Sequence, residues 1–151
     1  IREAGRLDAV IAPISGGGLL AGTAIAARAL CPGAWVYGAE PEGADDAARS
    51  FASGELQRNE RVDTISDGLR ADLGAPNFAI LRAADTRILT VSDAETLSAM
   101  RLIYERLKIV VEPSCATPLA AIRKYPAHFA GRKVGVILSG GNVDLDTLRF
   151  A

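Results

Sequence analysis

Four short apolar runs alternate with helix-like segments along the 151 residues of the chain. The runs cover residues 8–13, 34–39, 87–91 and 134–138. Each run is continuously apolar rather than alternating, which is the pattern of strands whose two faces are both covered. The pattern therefore predicts four buried β-strands.

Between these runs, apolar positions recur at three- and four-residue steps, the spacing of amphipathic helices. Helices are predicted over residues 19–30, 92–108 and 117–124, with helical pieces and loop over 50–83. The helix at 92–108 is the clearest, because Ser92 and Glu95 have the spacing of a capping box. Strands that alternate with helices predict an α/β fold, an open, mostly parallel twisted sheet with helices on both faces, in one unit over residues 1–151.

The composition excludes several classes of protein. Hydrophobic residues make up 49% of the chain and charged residues 23%, with a net charge of −1, as in a globular domain and unlike a disordered or fibrous chain. The near-neutral charge provides no basic surface for nucleic acid. The apolar stretch at 19–30 contains Arg28 and is too short to cross a bilayer. Cys31 and Cys115 have neither metal-ligand nor disulfide spacing, so reduced thiols in the cytoplasm are expected.

Two glycine-rich segments each follow a predicted strand. Ser15-Gly16-Gly17-Gly18, which we call the glycine loop, directly precedes a predicted helix, so its backbone N–H groups and the helix dipole favour an anion such as phosphate. Ser139-Gly140-Gly141, which we call the second loop, follows the last strand. Ligands of open α/β sheets lie beyond the carboxyl ends of the strands, so the two loops are predicted to contact one ligand. The alternative is that each glycine run only makes a tight turn.

Two further patterns leave alternatives open. Gly16, Gly18 and Gly22, with Glu40 about twenty residues later, nearly match a dinucleotide-binding fingerprint whose acid would hold ribose. Residues 40–46 also gather carboxylates and turn backbone, an oxygen-rich set suited to Mg²⁺, Mn²⁺ or Ca²⁺. The alternative for this stretch is a solvated acidic turn that caps the helix beginning near Ala47.

Six motifs occur in the order seen in the serine/threonine dehydratase and serine racemase family. They are ISGGGLLAG at 14–22, VYGAEP at 36–41, ADD at 44–46, SDGL at 66–69, VVEP at 110–113 and VILSGGNVD at 136–144. The chain resembles this family over nearly its whole length. Its members are fold-type II enzymes that use pyridoxal 5′-phosphate (PLP), so the resemblance implies that cofactor rather than a dinucleotide.

The resemblance also implies a set of binding residues. The loop that wraps the PLP phosphate through backbone N–H groups matches Ser15, Gly16, Gly17, Gly18 and Leu19, with Ser15 at a position where many members have glycine. Ser139 matches a serine whose hydroxyl binds the pyridine nitrogen. Gly68 and Glu112 match residues beside the cofactor ring and its lysine.

A divalent-cation site is implied as well. Glu40, the Ala44 carbonyl and Asp46 match the metal ligands of the racemase-like members, so Mg²⁺ or Mn²⁺ is favoured over the acidic turn. The resemblance further implies a small amino-acid substrate and a homodimer. We expect neither a nucleic-acid nor a membrane partner.

The family's catalytic lysine has no match in the chain. PLP enzymes use a lysine to hold the cofactor as a Schiff base, and this family also uses it to take the Cα proton. The only lysines are Lys108, Lys124 and Lys133, and none has the Ser-x-Lys-x-Arg context of that residue. The chain thus resembles the C-terminal half of the family proteins. The lysine is expected upstream of Ile1, in an N-terminal half that would be the partner of this chain, and no catalytic residue is predicted within the chain itself.

These expectations together predict the C-terminal portion of a PLP-dependent serine/threonine dehydratase, inactive without the missing half. Such an ammonia-lyase converts a β-hydroxy amino acid into a 2-oxo acid and ammonia. Within the family, the alternatives are serine racemase and hydroxyaspartate dehydratase. The alternative of another class is a nucleotide- or phosphate-binding module without chemistry of its own.

Overall fold

The computed structural model describes residues 1–144 and 146, and a four-stranded sheet forms its centre. The strands are β1 (Ala9–Pro13), β2 (Trp35–Pro41), β3 (Arg87–Val91) and β4 (Val134–Val136). They lie in the order β3-β2-β1-β4, and each neighbouring pair is parallel. The predicted α/β class is confirmed. Residue 145 and residues 147–151 of the predicted unit lie outside the described residues.

The helices between the strands begin and end close to their sequence signals. They are α1 (Gly18–Leu30), α2 (Asp46–Ser53), α3 (Ala75–Ala83), α4 (Asp93–Leu107) and α5 (Pro113–Lys124). The predicted capping box is present, because the Glu95 N–H donates to Ser92 Oγ and the Ser92 N–H donates to the Glu95 carboxylate. This capping box explains why α4 begins where the sequence predicts it. Helix α1 has no side-chain cap, and its bounds follow the glycine run before it and Pro32-Gly33 after it.

The start of α5 differs from the prediction, which began this helix at residue 117. Proline is favoured at the first helical position, and Pro113 occupies it. Pro118 lies inside the helix, where it has no N–H to donate to the carbonyl of Ser114. The Thr117 hydroxyl donates to that carbonyl instead, at 2.9 Å. The helix therefore accommodates a residue that usually ends one.

Strand β2 continues two residues beyond its predicted end, and β4 ends two residues before its own. The extension places Glu40 inside the sheet, where it pairs with Thr90 of β3 and is fully buried. A solvated turn at Glu40 is therefore wrong. The Glu40 side chain lies in the core and not at the surface.

Strands β1 and β2 are covered on both faces, as their continuously apolar runs predict. The prediction of a buried strand is wrong for β4, an edge strand that is only half-buried and leaves Val136 exposed. In β1, Val10 and Ala12 pack in one cluster with Leu20 of α1. Ala9 and Ile11 point to the other face and belong to a cluster that includes residues of β2, β3 and α5. Burial of one such aliphatic side chain stabilises the folded state by roughly 1.5–3 kcal/mol. The packing on both faces of β1 therefore holds the end of this strand, and the loop that follows it, in place.

The histidine and the two cysteines are packing residues. His128, expected at the solvated surface, is half-buried and makes an edge-to-face contact with buried Tyr37 at 5.7 Å between ring centroids. Cys31 and Cys115 are both free and buried, as expected for reduced thiols. In the described part of the chain, no helix has the length and apolar character needed to span a membrane.

Candidate functional site

A cavity of about 340 Å³ lies at the end of β1 and is lined by both glycine-rich loops. The residues predicted to bind the cofactor all line it: Ser15, Gly16, Gly17, Gly18, Leu19, Gly68, Glu112 and Ser139. The structure thus brings together residues that are up to 124 positions apart in the chain, from 15 to 139. Their contact with a cofactor stays a prediction.

The glycine loop carries backbone N–H groups that no described residue accepts. They are the N–H groups of Gly16, Gly17, Gly18 and Leu19. Free donors are expected at the first turn of a helix, here α1. Gly17 is the N-cap residue and has φ +89°, in the left-handed region that favours glycine. Free donors and the helix dipole make this loop a suitable site for an anion.

The segment of residues 71–77, which we call the clamp segment, binds the glycine loop directly. Ser15 Oγ donates to the Ala71 carbonyl at 2.9 Å and accepts the Ala71 N–H at 3.0 Å. The Gly16 carbonyl accepts Asn77 Nδ2–H at 2.6 Å and the Gly74 N–H at 3.1 Å. No local sequence pattern predicts this segment, because the paired residues lie more than 50 positions apart.

The second loop is held by the start of α5. The Gly140 carbonyl accepts the Glu112 N–H at 3.2 Å and the Cys115 thiol at 2.9 Å. The Glu112 carboxylate accepts the Asn142 N–H at 3.0 Å. Burial raises the pKa of the Cys115 thiol above its ordinary value. The protonated thiol is therefore the form that donates to the loop.

Gly68 reaches the cavity through a contact with α5. Its N–H donates to Ser114 Oγ at 2.9 Å, and a Cβ at this position would lie 3.0 Å from the same oxygen. Ser114 also lines the cavity, and sequence reasoning missed it. The only available signal was its position directly after the VVEP motif, whose last residue is Pro113.

The predicted metal ligands form a separate, buried acidic pair. The two oxygens of the Glu40 carboxylate accept the N–H groups of Ala47 and Ala48 at 3.0 and 2.8 Å, so Glu40 caps α2. Asp46 accepts the Leu73 N–H and Asn59 Nδ2–H, each at 2.7 Å. The helix-capping part of the alternative interpretation is thus present, although the carboxylate is buried.

Burial governs the electrostatics of this pair. The pKa of Glu40 is raised to about 8, chiefly by burial and also by the charges of Asp46 and Asp45, against the lowering effect of the two amide hydrogen bonds. Burial also raises the pKa of Asp46. No Lys, Arg or His of the described chain forms a salt bridge with either carboxylate. The charge of Arg49 acts on the pair from a distance: its pKa is raised chiefly by its hydrogen bond to Asp45 and also by the charges of Asp46 and Glu40. Its salt bridge is with Asp45, at 2.7 Å.

This donor set fits a hard cation in its chemistry. A carboxylate oxygen that accepts one N–H keeps a second lone pair, which can bind a cation. The third predicted ligand is the carbonyl of Ala44, a buried residue two positions before Asp46. Residues 1–144 and 146 contain no group of three or more His, Cys, Asp or Glu side chains that could hold a metal ion. The predicted set has only two such side chains, so metal binding stays a prediction.

The lysines lie away from the cavity. None of Lys108, Lys124 and Lys133 is among the residues that line it. Lys124 Nζ is held by Glu42 at 2.6 Å and Glu95 at 3.0 Å. Lys133 Nζ donates to the Ala4 carbonyl. That the cofactor's lysine lies outside this chain stays a prediction.

Comparisons with known proteins match the whole fold. The family described as pyridoxal-phosphate dependent enzyme matches residues 1–140. The beta-hydroxyaspartate dehydratase of Paracoccus denitrificans (strain Pd 1222) is 47% identical over 148 residues, which cover 98% of this chain and 47% of that protein. Serine racemase of Dictyostelium discoideum is 47% identical over 146 residues, which cover 94% of this chain and 45% of that protein. The structure of maize serine racemase has a TM-score of 0.87 at 43% identity, over 93% of this chain and 44% of that chain.

The fold and the cavity define the class as α/β enzymes of fold type II, in which two loops at the ends of parallel strands face one ligand space. The chain belongs to the family of pyridoxal-phosphate dependent enzymes. The resemblance found in the sequence is confirmed. The chain spans about half the length of the curated relatives it matches, 47% of the Paracoccus protein and 45% of the Dictyostelium protein.

The residues present fit the family's cofactor. The glycine loop has free N–H donors for a phosphate, and a Cβ at Gly17 would collide with Leu73 Cδ1 at 2.6 Å and with Asn77 Cβ at 2.8 Å. Ser139 is exposed in the same cavity and carries a hydroxyl that can face a ring nitrogen. A dinucleotide fits less well, because Glu40, the acid that would hold its ribose, is buried and binds amides of α2.

Proposed function

We propose that this chain forms the part of a PLP-dependent ammonia-lyase that binds the cofactor's phosphate and ring nitrogen. The enzyme is of the serine/threonine dehydratase type and converts a β-hydroxy amino acid into a 2-oxo acid and ammonia. The observation that carries this proposal is the shared cavity of about 340 Å³, which both the glycine loop and Ser139 line. A ligand with an anionic phosphate and a basic ring nitrogen is complementary to both loops.

When bound, PLP supplies the electron-accepting ring that makes removal of a Cα proton from an amino acid possible. The glycine loop holds the phosphate with its N–H groups, assisted by the dipole of α1. Ser139 offers its hydroxyl to the ring nitrogen. A hydroxyl, unlike a carboxylate, does not keep that nitrogen protonated, so the electron demand of the ring is moderate. This property suits the elimination of a β-hydroxyl group.

The residue that moves the Cα proton is proposed to lie outside this chain. The three lysines within it are absent from the cavity lining. The proposed partner is the N-terminal half of the same enzyme, which would supply the lysine. We further propose a homodimer that acts in the cytoplasm on a small amino acid, without nucleic-acid or membrane partners; the two free thiols support the reducing compartment.

The curated relatives support more than one substrate. A hydroxyaspartate dehydratase and a serine racemase are both 47% identical to this chain, so identity does not separate them. Both remain alternatives to serine or threonine deamination. The substrate is therefore an outcome of the experiment.

The test joins this chain, with its sequence unchanged, to the N-terminal half of the Paracoccus relative. Ammonia release is measured with L-serine, L-threonine and 3-hydroxyaspartate, and D-serine formation is measured by chiral chromatography. Ammonia from serine or threonine supports the proposal, whereas ammonia from hydroxyaspartate alone or D-serine alone supports the corresponding alternative. The intact Paracoccus enzyme is the control for the specificity of its own half.

A direct binding test uses the chain alone with pyridoxine 5′-phosphate. This ligand has an alcohol in place of the PLP aldehyde, so it cannot react with surface lysines. Calorimetric titration that detects binding, with competition by inorganic phosphate, supports the cofactor site. If neither pyridoxine 5′-phosphate nor phosphate binds, the glycine loop is only a turn and the proposal fails.

We propose a second function, the binding of a divalent cation by Glu40, the Ala44 carbonyl and Asp46. Two fully buried carboxylates without a salt-bridge partner in the described chain support it. The test is a titration with Mn²⁺, whose free ion is measured by its paramagnetic resonance signal. Asp46→Asn is expected to abolish binding, and Asp45→Asn, which changes a residue paired with Arg49, is expected to preserve it. Equal binding by both variants would reject the site.

A further inference from the structure

The clamp segment holds the glycine loop through hydrogen bonds that no sequence motif predicts. We propose that Asn77 and the side chain of Ser15 are positioning residues, which fix the peptide groups of the glycine loop so that their N–H groups meet the cofactor phosphate. This inference rests on the proposed function, because it concerns the same phosphate. Neither side chain needs to touch the ligand.

The Gly16 carbonyl is the first point of control. It accepts two hydrogen bonds from the clamp segment, from Asn77 Nδ2 at 2.6 Å and from the Gly74 N–H at 3.1 Å. The chain contains no cis peptide bond in its described part, so the Gly16 carbonyl and the Gly17 N–H point in opposite directions from their shared peptide plane. A carbonyl held against the clamp segment therefore aims the Gly17 N–H away from it. Asn77 thus sets the direction of a phosphate donor.

The Ser15 side chain is the second point of control. Its Oγ donates to the Ala71 carbonyl and accepts the Ala71 N–H, so both of its hydrogen-bonding functions are directed to one residue of the clamp segment. A two-point contact of this kind restricts both translation and rotation of the loop. Glycine at this position, which the resemblance associates with many family members, has no hydroxyl and cannot make this contact.

The clamp segment is itself anchored, so it can hold the loop in place. The Leu73 N–H donates to buried Asp46 at 2.7 Å, and the Asp72 carboxylate accepts the Asn59 N–H at 3.1 Å. Leu73 is buried in the same core cluster as α1. Asn77 lies in the first turns of α3, and its Cβ lies 2.8 Å from the position that a Cβ on Gly17 would take. Loop and clamp segment therefore touch over several consecutive residues.

The experiment compares two ligands that differ only in the phosphate, pyridoxine 5′-phosphate and pyridoxine. Calorimetric affinities are measured for the chain and for Asn77→Ala, Asn77→Leu and Ser15→Ala. Asn77→Leu keeps the approximate size of the side chain and removes the donor without adding a charge. Gln57→Ala is the matched control, because Gln57 is an amide residue whose side chain donates to Ser53 Oγ and to the Glu55 carbonyl, away from the glycine loop. Circular dichroism establishes that each variant is folded.

Loss of one oriented hydrogen bond to a backbone carbonyl predicts that both Asn77 variants weaken pyridoxine 5′-phosphate binding about tenfold. Ser15→Ala is expected to weaken it about threefold. Binding of pyridoxine and the behaviour of Gln57→Ala should stay within about twofold of the unchanged chain. A loss confined to the phosphorylated ligand distinguishes positioning from a general structural defect.

Other outcomes overturn the inference. Equal weakening of both ligands would show that Asn77 only stabilises the fold. Unchanged affinities in folded variants would show that the clamp contacts do not orient the donors. If an Asn77 variant does not fold, Ser15→Ala decides by the same ratio. If the unchanged chain binds neither ligand, the proposed function is rejected. This outcome differs from the results that reject only the positioning role of the clamp segment.

Discussion

The glycine loop and the second loop begin from the same sequence signal, a strand followed by glycines, yet they are built differently. The glycine loop leads into α1, thirteen residues long, and its free N–H groups lie at that helix's start. The second loop follows a three-residue strand and depends on Glu112 and Cys115 of another element for its hydrogen bonds. One loop contributes backbone donors, and the other contributes a side-chain hydroxyl, that of Ser139.

The difference shows that a glycine run has no fixed meaning. In the glycine loop, Gly17 is required by its positive φ and by the side chains packed against it. In the second loop, a Cβ at Gly140 would lie 2.7 Å from the Glu112 carboxylate, which would have to shift away. The requirement at Gly17 serves the site directly, since it keeps the N–H donors in position. Gly140 keeps a supporting carboxylate close to the backbone of the loop.

The largest expected effect comes from Gly17→Asp. The new side chain would take up a left-handed backbone position, collide with Leu73 and Asn77, and bring negative charge to a phosphate site. We expect binding of pyridoxine 5′-phosphate to fall by at least about a hundredfold in calorimetric titration, which is roughly 3 kcal/mol. Gly22→Asp is the control, because an added Cβ there meets nothing within 4 Å. Retained affinity in the Gly17 variant would refute the assignment of the loop.

A smaller effect is expected for Gly140→Ala in the second loop. Crowding against Glu112 should destabilise the chain by about 1–3 kcal/mol in thermal or urea unfolding. Because the glycine loop is untouched, inorganic phosphate should bind as before while pyridoxine 5′-phosphate binds more weakly. The matched variant Gly22→Ala should lose neither. Equal loss of phosphate binding by Gly140→Ala would mean that the two loops are not separate in function.

The smallest effect concerns pH and the Cys115 thiol. Burial raises the pKa of this thiol above its ordinary value of 9.0. The unfolded chain therefore releases the proton at lower pH than the folded chain does, so the thiol's stabilisation is complete below pH 9 and is lost as pH rises through the folded pKa. Cys115→Ala should be less stable than the unchanged chain by about 1 kcal/mol at pH 7, and the gap should narrow at higher pH.

Thermal unfolding from pH 7 to pH 10.5 measures this gap, with Cys31→Ala as the control cysteine variant. A constant gap for Cys115→Ala over the whole range would contradict a raised pKa of the Cys115 thiol in the folded chain.

Local signals allowed much of this fold to be predicted. Ser92 and Glu95 fixed the start of α4, and the apolar runs located all four strands of the described chain. The start of α5 was missed because Pro118 usually excludes a helix interior, and only the Thr117 contact with Ser114 shows how it is accommodated. Sequence rules for helix bounds fail at Pro118, because a side-chain hydrogen bond replaces the backbone bond that proline cannot make.

The site divides in the same way. The sequence placed both loops beside one cavity, because each loop follows a strand of the same parallel sheet. Asn77 and Ser114 could not be predicted, because each acts through a partner that is 61 or 46 positions away. The burial of Glu40 was missed for a related reason, since two extra residues of β2 depend on pairing with β3.

Asp46 has a consequence that reaches across the molecule. One of its oxygens holds the Leu73 N–H of the clamp segment, and its carboxylate is also a proposed cation ligand. An ion that drew this carboxylate toward itself would change the grip on Leu73 and, through it, the glycine loop. If the cation changes the affinity of the glycine loop for phosphate, phosphate must change the affinity for the cation by the same factor. Asp46 would then couple the binding of two ligands of opposite charge.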